Sequence, residues 1–222
     1  MIQLFLGIAL AFSLNDEAAK YKERYHYSGP YTKLTDNRGR SELGYNLDGT
    51  RNMRVVLHGV LYRGGANNLY GSPSRPNQNP LPKIGLVSLC REGFATGVYL
   101  YSTNYSSAPP WVYCEGNELQ YLQIDPYGRT EKILDLVFKR IKGGSDGPIY
   151  AHCWNGWHYS GLISAIALRQ WCNYDGPTAV DYWVKNTDGN SKGYDSIKSK
   201  IRNFKPLKKY EISDLEKQAI CP

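Results

Sequence analysis

No stretch of this chain is apolar enough to cross a bilayer. The run Leu4 to Phe12 falls far short of the roughly 20 residues a spanning helix needs. The spacings that announce a bound metal or nucleotide are missing as well. The five cysteines and four histidines form no CxxC pair and no Cys/His cluster of zinc spacing. There is no GxGxxG and no GxxxxGK followed by Ser or Thr, so no cofactor is expected. No internal repeat is visible. The first residues also lack the Lys or Arg with which a signal peptide ordinarily begins.

What is present points to a folded domain. A chain of 222 residues with 41% apolar content has room for one substantial core. The formal net charge of +7 favours anionic partners such as phosphate esters, nucleic acid or anionic lipid. Basic residues are scattered apart from Lys205, Lys208 and Lys209, which read as a solvated face. A nucleic-acid role has only the net charge behind it, and none is expected. The 19 tyrosines are mostly interleaved with polar residues and read as half-exposed packing rings and stacking surfaces in a cleft.

Met1 to Ser13 has the length of a signal-peptide core, with small residues at Ala11 and Ser13. Export to a periplasm or to the outside is expected, leaving no integral membrane segment in the mature chain. A strand or helix of the core is the competing reading of this segment. The organisation expected is therefore 1–13 as a signal peptide, 14–52 as an irregular lead and 53–222 as the main domain. If the protein is exported, one of Cys90, Cys114, Cys153, Cys172 and Cys221 stays free or pairs between chains. With Cys153 free, the other four can form up to two disulfides in three connectivities.

Val55 to Leu57 and Val60 to Tyr62 flank His58-Gly59 as a hairpin-like signal. Gly64 to Pro82 is a long loop, and Ile84 to Cys90 a short helix. Strands are expected at Gly97 to Tyr101, Leu119 to Ile124 and Ile149 to Ala151, with a loop from Thr103 to Pro110. The spacing of Ile133, Leu136, Val137 and Ile141 predicts a helix over Arg129 to Lys142. Further helices are expected at Leu162 to Trp171, from Pro177 through Val184, and at Tyr194 to Phe204. A short last one is capped by Ser213 and Glu216. This order implies the α/β class, a central and mostly parallel sheet flanked by helices. The site is expected at the carboxyl ends of its strands.

The segment that carries chemistry runs from Gly147 to Gly161. Cys153 follows a strand and precedes a helix N-terminus, a field that favours its thiolate. Peptide N–H groups turning into that helix can hold a dianion, and Gly156 permits the turn. Ser160 is placed to donate to the thiolate, and His152 to order the loop. Trp154 and Trp157 either wall a pocket or simply pack. A small buried cysteine ahead of an aromatic packing cluster is the plain alternative.

His152, Cys153, Gly156, Ser160 and Gly161 resemble the signature of the cysteine-dependent protein tyrosine and dual-specificity phosphatases: His-Cys, five residues, Arg, Ser or Thr, Gly. The signature arginine falls on Tyr159. Two outer segments strengthen the resemblance. Gly59-Val-Leu-Tyr-Arg63-Gly-Gly65 is similar to an early strand and turn of dual-specificity domains. Gln123-Ile-Asp125-Pro126 is similar to the loop that carries the general acid. The likeness covers roughly residues 53 to 185.

It implies a phosphatase-like α/β fold with Cys153 as nucleophile, Asp125 as general acid and Ser160 assisting. Substrate contacts would come from Trp154, Asn155, Gly156, Trp157, His158, Tyr159 and Arg129. The expected ligand is a phosphorylated small molecule or a phosphoprotein. Arginine suits the missing position because its planar fork gives two charged hydrogen bonds to the transferring group. Tyr159 offers one neutral hydroxyl. The stand-in cations to consider are His158, Arg129 and Arg63, the last with a structural role at its turn as the alternative. Three functions follow: a phosphate-monoester hydrolase, a pseudophosphatase that binds without turnover, and a thiol hydrolase pairing Cys153 with His158 or His58.

Overall fold

Apolar side chains alternate along the central strands, and this period of two divides the core between the faces of one sheet. The computed structural model describes residues 14–41, 44–66, 80–103 and 105–222. The signal-like segment 1–13, and most of the loop expected from Gly64 to Pro82, lie outside the described residues.

A first helix, α1, covers residues 14–24. Then come β1 (Arg51–Leu57), β2 (Leu61–Gly65), α2 (Lys83–Arg91), β3 (Thr96–Tyr99), β4 (Trp111–Cys114) and β5 (Asn117–Gln123). They are followed by α3 (Thr130–Ile141), β6 (Ile149–Cys153), α4 (Tyr159–Trp171), α5 (Gly176–Lys185) and α6 (Asp195–Asn203). A 3-10 turn (Lys208–Tyr210) and α7 (Asp214–Ile220) come last.

The six strands form one sheet in the order β1-β2-β6-β3-β5-β4. β2, β6, β3 and β5 run parallel, and β1 and β4 add antiparallel edges. This is the α/β class expected from the element order. Val56, Leu61, Val98, Ile149 and Ala151 face one way, into a core completed by α3 to α7. Val55, Tyr62, Tyr99 and Tyr150 face the other way, toward α1 and α2. Among the described residues, no helix is long and apolar enough to cross a membrane.

Three features depart from the sequence reading. The irregular lead expected over 14–52 contains α1, whose Leu14, Ala18 and Tyr21 are buried at helical spacing, with Tyr25 just beyond its end. Glu17 of this helix pairs with Arg140 of α3. Secondly, eight tyrosines (21, 25, 62, 99, 121, 150, 182 and 210) are buried rather than half-exposed. A buried phenol is tolerated where its hydroxyl finds a partner, as Tyr150 does at Gly65 O, 3.0 Å away. The third is β4, an edge strand with alternating exposure that no sequence signal marked.

The disulfides pair Cys90 with Cys114 and Cys172 with Cys221, and Cys153 is free. The first ties α2 to the edge strand, and the second ties the end of α4 to the residue after α7. Cross-links closing 24 and 49 residues stabilise by about 3 to 4 kcal/mol each on the chain-entropy account. Asp175 caps α5 by accepting from Thr178 N at 2.7 Å, and Ser213 with Glu216 forms the expected capping box on α7.

Because β2, β6, β3 and β5 are parallel, their carboxyl ends open on one edge of the sheet. Gly65, Cys153, Tyr99 and Gln123 end those strands, so the connections that follow are gathered there.

Candidate active site

Cys153 ends β6 on the face of the sheet that α4 covers, and is 4% exposed. Its Sγ lies 3.4 Å from Ser160 Oγ, one residue into that helix. Cys153 lines a pocket of ≈ 170 Å³ together with Tyr101, Trp154, Asn155, Trp157, His158, Tyr159 and Tyr194. Five of the expected ligand-contacting residues therefore share one cavity with the thiol. Among the described residues, no lysine or arginine lines it.

The loop between β6 and α4 is held from behind. Ala66 N donates to Cys153 O and Trp154 O, both at 2.9 Å. Asn52 Nδ2 donates to Asn155 O at 2.8 Å. Arg63 Nη2 donates to Gly156 O and, at 3.1 Å, to Trp157 O. Trp183 Nε1 donates to His158 O at 3.1 Å. Six consecutive carbonyls thus point at donors that do not line the pocket. A trans peptide aims its N–H opposite to its C=O. The N–H groups that follow those carbonyls therefore turn away from these donors.

Glycines make this arrangement possible. Gly156 has φ +77, and a Cβ there would fall 2.8 Å from Gly64 C and 2.9 Å from Gly65 N. The Gly59 to Gly65 segment thus packs its backbone directly beneath the loop. Gly65 also pairs with Asn155 across an isolated bridge. No side chain caps α4 at His158, so its first turn is open to an external acceptor.

Sequence reading missed three residues behind the loop. Arg51 is fully buried, with Nη1 2.5 Å from Asn155 Oδ1 and its guanidinium 5.1 Å from the Trp157 ring centre. Asn52 sits at φ +49 to reach the Asn155 carbonyl. Asp188 accepts from Trp157 Nε1 at 3.2 Å, and pairs with Lys33 at 2.9 Å and Arg54 at 3.4 Å. Burial pushes the Asp188 carboxyl up, but Lys33, Arg54 and the Trp157 bond outweigh it and leave it below the ordinary carboxylate range. These residues lie in no local motif with Cys153. Only the fold brings them together.

The proposed stand-in cations do not face the thiol. His158 lines the pocket, but its Nε2 is 2.8 Å from Asn190 O and its ring stacks on Tyr194 at 3.7 Å. Burial lowers its pKa, Arg63 adds to that, and the bond to Asn190 only partly offsets it, so the imidazole is neutral near pH 7. Arg129 is exposed ahead of α3 and does not line the pocket. Arg63 is fully buried behind the loop and serves the two carbonyls, in keeping with a structural role at its turn.

His152 is buried with its Nε2 2.8 Å from Tyr121 Oη, and burial pulls its pKa down to about 4, so it orders the loop as a neutral ring. Asp125 follows β5, where its Oδ1 accepts from Tyr127 N at 2.8 Å, and it does not line the pocket. His58 is buried in the β1–β2 turn against Tyr27, away from that lining. The hydrogen bond of the thiol goes to Ser160 rather than to an imidazole, which leaves the thiol-hydrolase pairing without a contact.

Neither a family model nor a curated protein matches the chain. Solved structures do. TpbA of P. aeruginosa is 16% identical at a TM-score of 0.44, covering 70% of this chain and 90% of its own. The core catalytic domain of the PP-IP phosphatase SIW14 from S. cerevisiae is 16% identical at 0.45, covering 70% and 86%. The chain resembles phosphatase domains. The Yvh1 phosphatase domain from Chaetomium thermophilum adds a third case, 16% identical at 0.43, covering 68% and 92%. At such identities and scores the likeness concerns the layout of the fold. The chemistry of the pocket rests on its own residues.

Proposed function

We propose that the chain binds phosphate monoesters through the Cys153 loop and turns them over slowly or not at all. One observation carries the reading: the carbonyls of the loop beside the Cys153 cavity are all tied back, which turns its peptide N–H groups the other way, yet among the described residues no lysine or arginine lines that cavity. Pre-aimed N–H groups suffice to hold an anion. Fast transfer also needs charge stabilisation at the equatorial oxygens in the transition state, and losing such a donor costs on the order of 10²–10³ in rate.

Residual hydrolysis is the second reading, favoured by the Ser160 hydroxyl 3.4 Å from the sulfur. In that reaction the Cys153 thiolate attacks phosphorus, the ester oxygen leaves with a proton from an acid, and water releases phosphate from the thiol. Asp125 is the acid implied by the resemblance, and its loop would have to move to reach the leaving oxygen. Two disulfides beside one free thiol fit an oxidising compartment, which supports export.

The test pairs binding with turnover on the full chain. Inorganic phosphate titrated by calorimetry should bind at one site and protect Cys153 from iodoacetamide, while p-nitrophenyl phosphate turns over well below the ordinary enzyme range of about 1–10³ s⁻¹. Absence of both binding and protection would refute the proposal. Turnover inside that range would instead establish a hydrolase with a stabiliser of its own.

A further inference from the structure

The walls of the pocket bear on what the phosphate is attached to. Five of the eight lining residues carry Tyr or Trp rings: Tyr101, Trp154, Trp157, Tyr159 and Tyr194. Tyr101 stacks on Trp154 at 4.6 Å and meets Tyr159 edge-on at 5.0 Å. Tyr159 in turn meets Tyr127 at 5.4 Å, so the wall continues outward from the thiol.

The wall offers a cation both ring faces and a nearby carboxylate. Ring faces are negative. Asp125 Oδ1 accepts from the backbone N–H of Tyr127 at 2.8 Å, and the Tyr127 ring meets Tyr159, so a carboxylate flanks the outer end of this wall. An ammonium already occupies a face of the outer ring: Lys200 Nζ is 3.4 Å from the Tyr127 centroid. The cavity thus has N–H groups at its floor and a π-rich, carboxylate-flanked wall above.

We infer that its ligand is a compact zwitterionic phosphomonoester, a phosphate joined by a short alkyl chain to an ammonium, as in phosphocholine or phosphoethanolamine. This rests on the phosphate-binding reading of the same loop. The phosphate lies on the peptide N–H groups, and the ammonium lies against the rings beside Asp125. A ligand of this kind brings the positive charge that the pocket lacks. It also gives a reason for Tyr159, since a guanidinium there would repel the ammonium. A polyphosphorylated ring would set its second phosphate against the aromatic wall and the carboxylate.

The experiment compares phosphocholine with 3,3-dimethylbutyl phosphate, the same shape with carbon in place of the charged nitrogen, by calorimetry on the full disulfide-bonded chain, with inorganic phosphate titrated alongside. Phosphocholine should bind about tenfold tighter than the neutral isostere, the scale of a partly desolvated cation–π contact. Tyr101→Leu should bring that ratio close to one, and Asp125→Asn should lower it by a smaller factor. If phosphate binds but the isosteres bind equally, or the neutral one better, the inference is overturned and the phosphate-binding function stands. If neither phosphate nor either ester binds, the function itself fails and takes the inference with it.

Discussion

Replacing Tyr159 by arginine should raise kcat for an aryl phosphate about 10-fold or more, and Cys153→Ser in the same background should abolish the gain. Residue 159 opens α4 and lines the pocket over the thiol, so a side chain there is within reach of the transferring group. The wild-type ring offers one neutral hydroxyl, whose pKa burial and the neighbouring rings raise to about 12. A guanidinium adds two parallel charged bonds that strengthen in the transition state, so kcat should rise more than KM falls. The gain should stay below the 10²–10³ of a complete clamp, because Tyr101 and Tyr127 pack around a tyrosine and leave the new fork without support. A substantial wild-type rate that falls on substitution would mean that the loop has a stabiliser adapted to Tyr159. No rate in either protein, without phosphate binding, would leave the fold with a function elsewhere on its surface.

Arg63→Met should weaken phosphate binding by roughly 100-fold. The effect passes through the loop rather than through direct contact. Arg63 is fully buried, and its Nη2 donates to both Gly156 O and Trp157 O. Removing it leaves two buried carbonyls unsatisfied, at about 1–3 kcal/mol each. The peptides relieve this by rotating, which misaims the N–H groups on their other side. Arg63→Lys keeps the charge but reaches one carbonyl at most, so it should recover only part of the affinity. Calorimetry at a temperature where urea titration finds every variant folded separates the two roles. Lower stability with unchanged phosphate affinity would mean that Arg63 merely props the turn.

Much of this arrangement was readable in the chain because it is local. A strand, a cysteine, a glycine-containing turn and a helix are adjacent in sequence, and their order with the hairpin and the outer helices implied the parallel sheet. The pieces that escaped are non-local or weakly marked. Arg51 and Asn52 open β1 and Asp188 follows α5, and nothing in their own neighbourhoods ties them to Cys153. The edge strand β4 turns into β5 through Glu115 and Gly116, both at positive φ. Glutamate is an unusual residue for such a turn, so the common Asn-Gly or Asp-Gly signal was missing. Helix α1 did carry a pattern, Leu14, Ala18, Tyr21 and Tyr25, but the charged residues between them outweighed it in the reading. The disulfide pairing could not be reduced from three connectivities, because it depends on which elements end up side by side.

The central claim is that backbone N–H groups, without a cationic clamp, hold a phosphate above Cys153. A crystal grown in phosphate tests it most directly. One ion should lie over the Cys153 sulfur, held by N–H groups of the 154–159 loop, with no arginine or lysine touching it. An empty pocket at saturating phosphate, or an ion gripped there by a guanidinium such as that of Arg129, would contradict it.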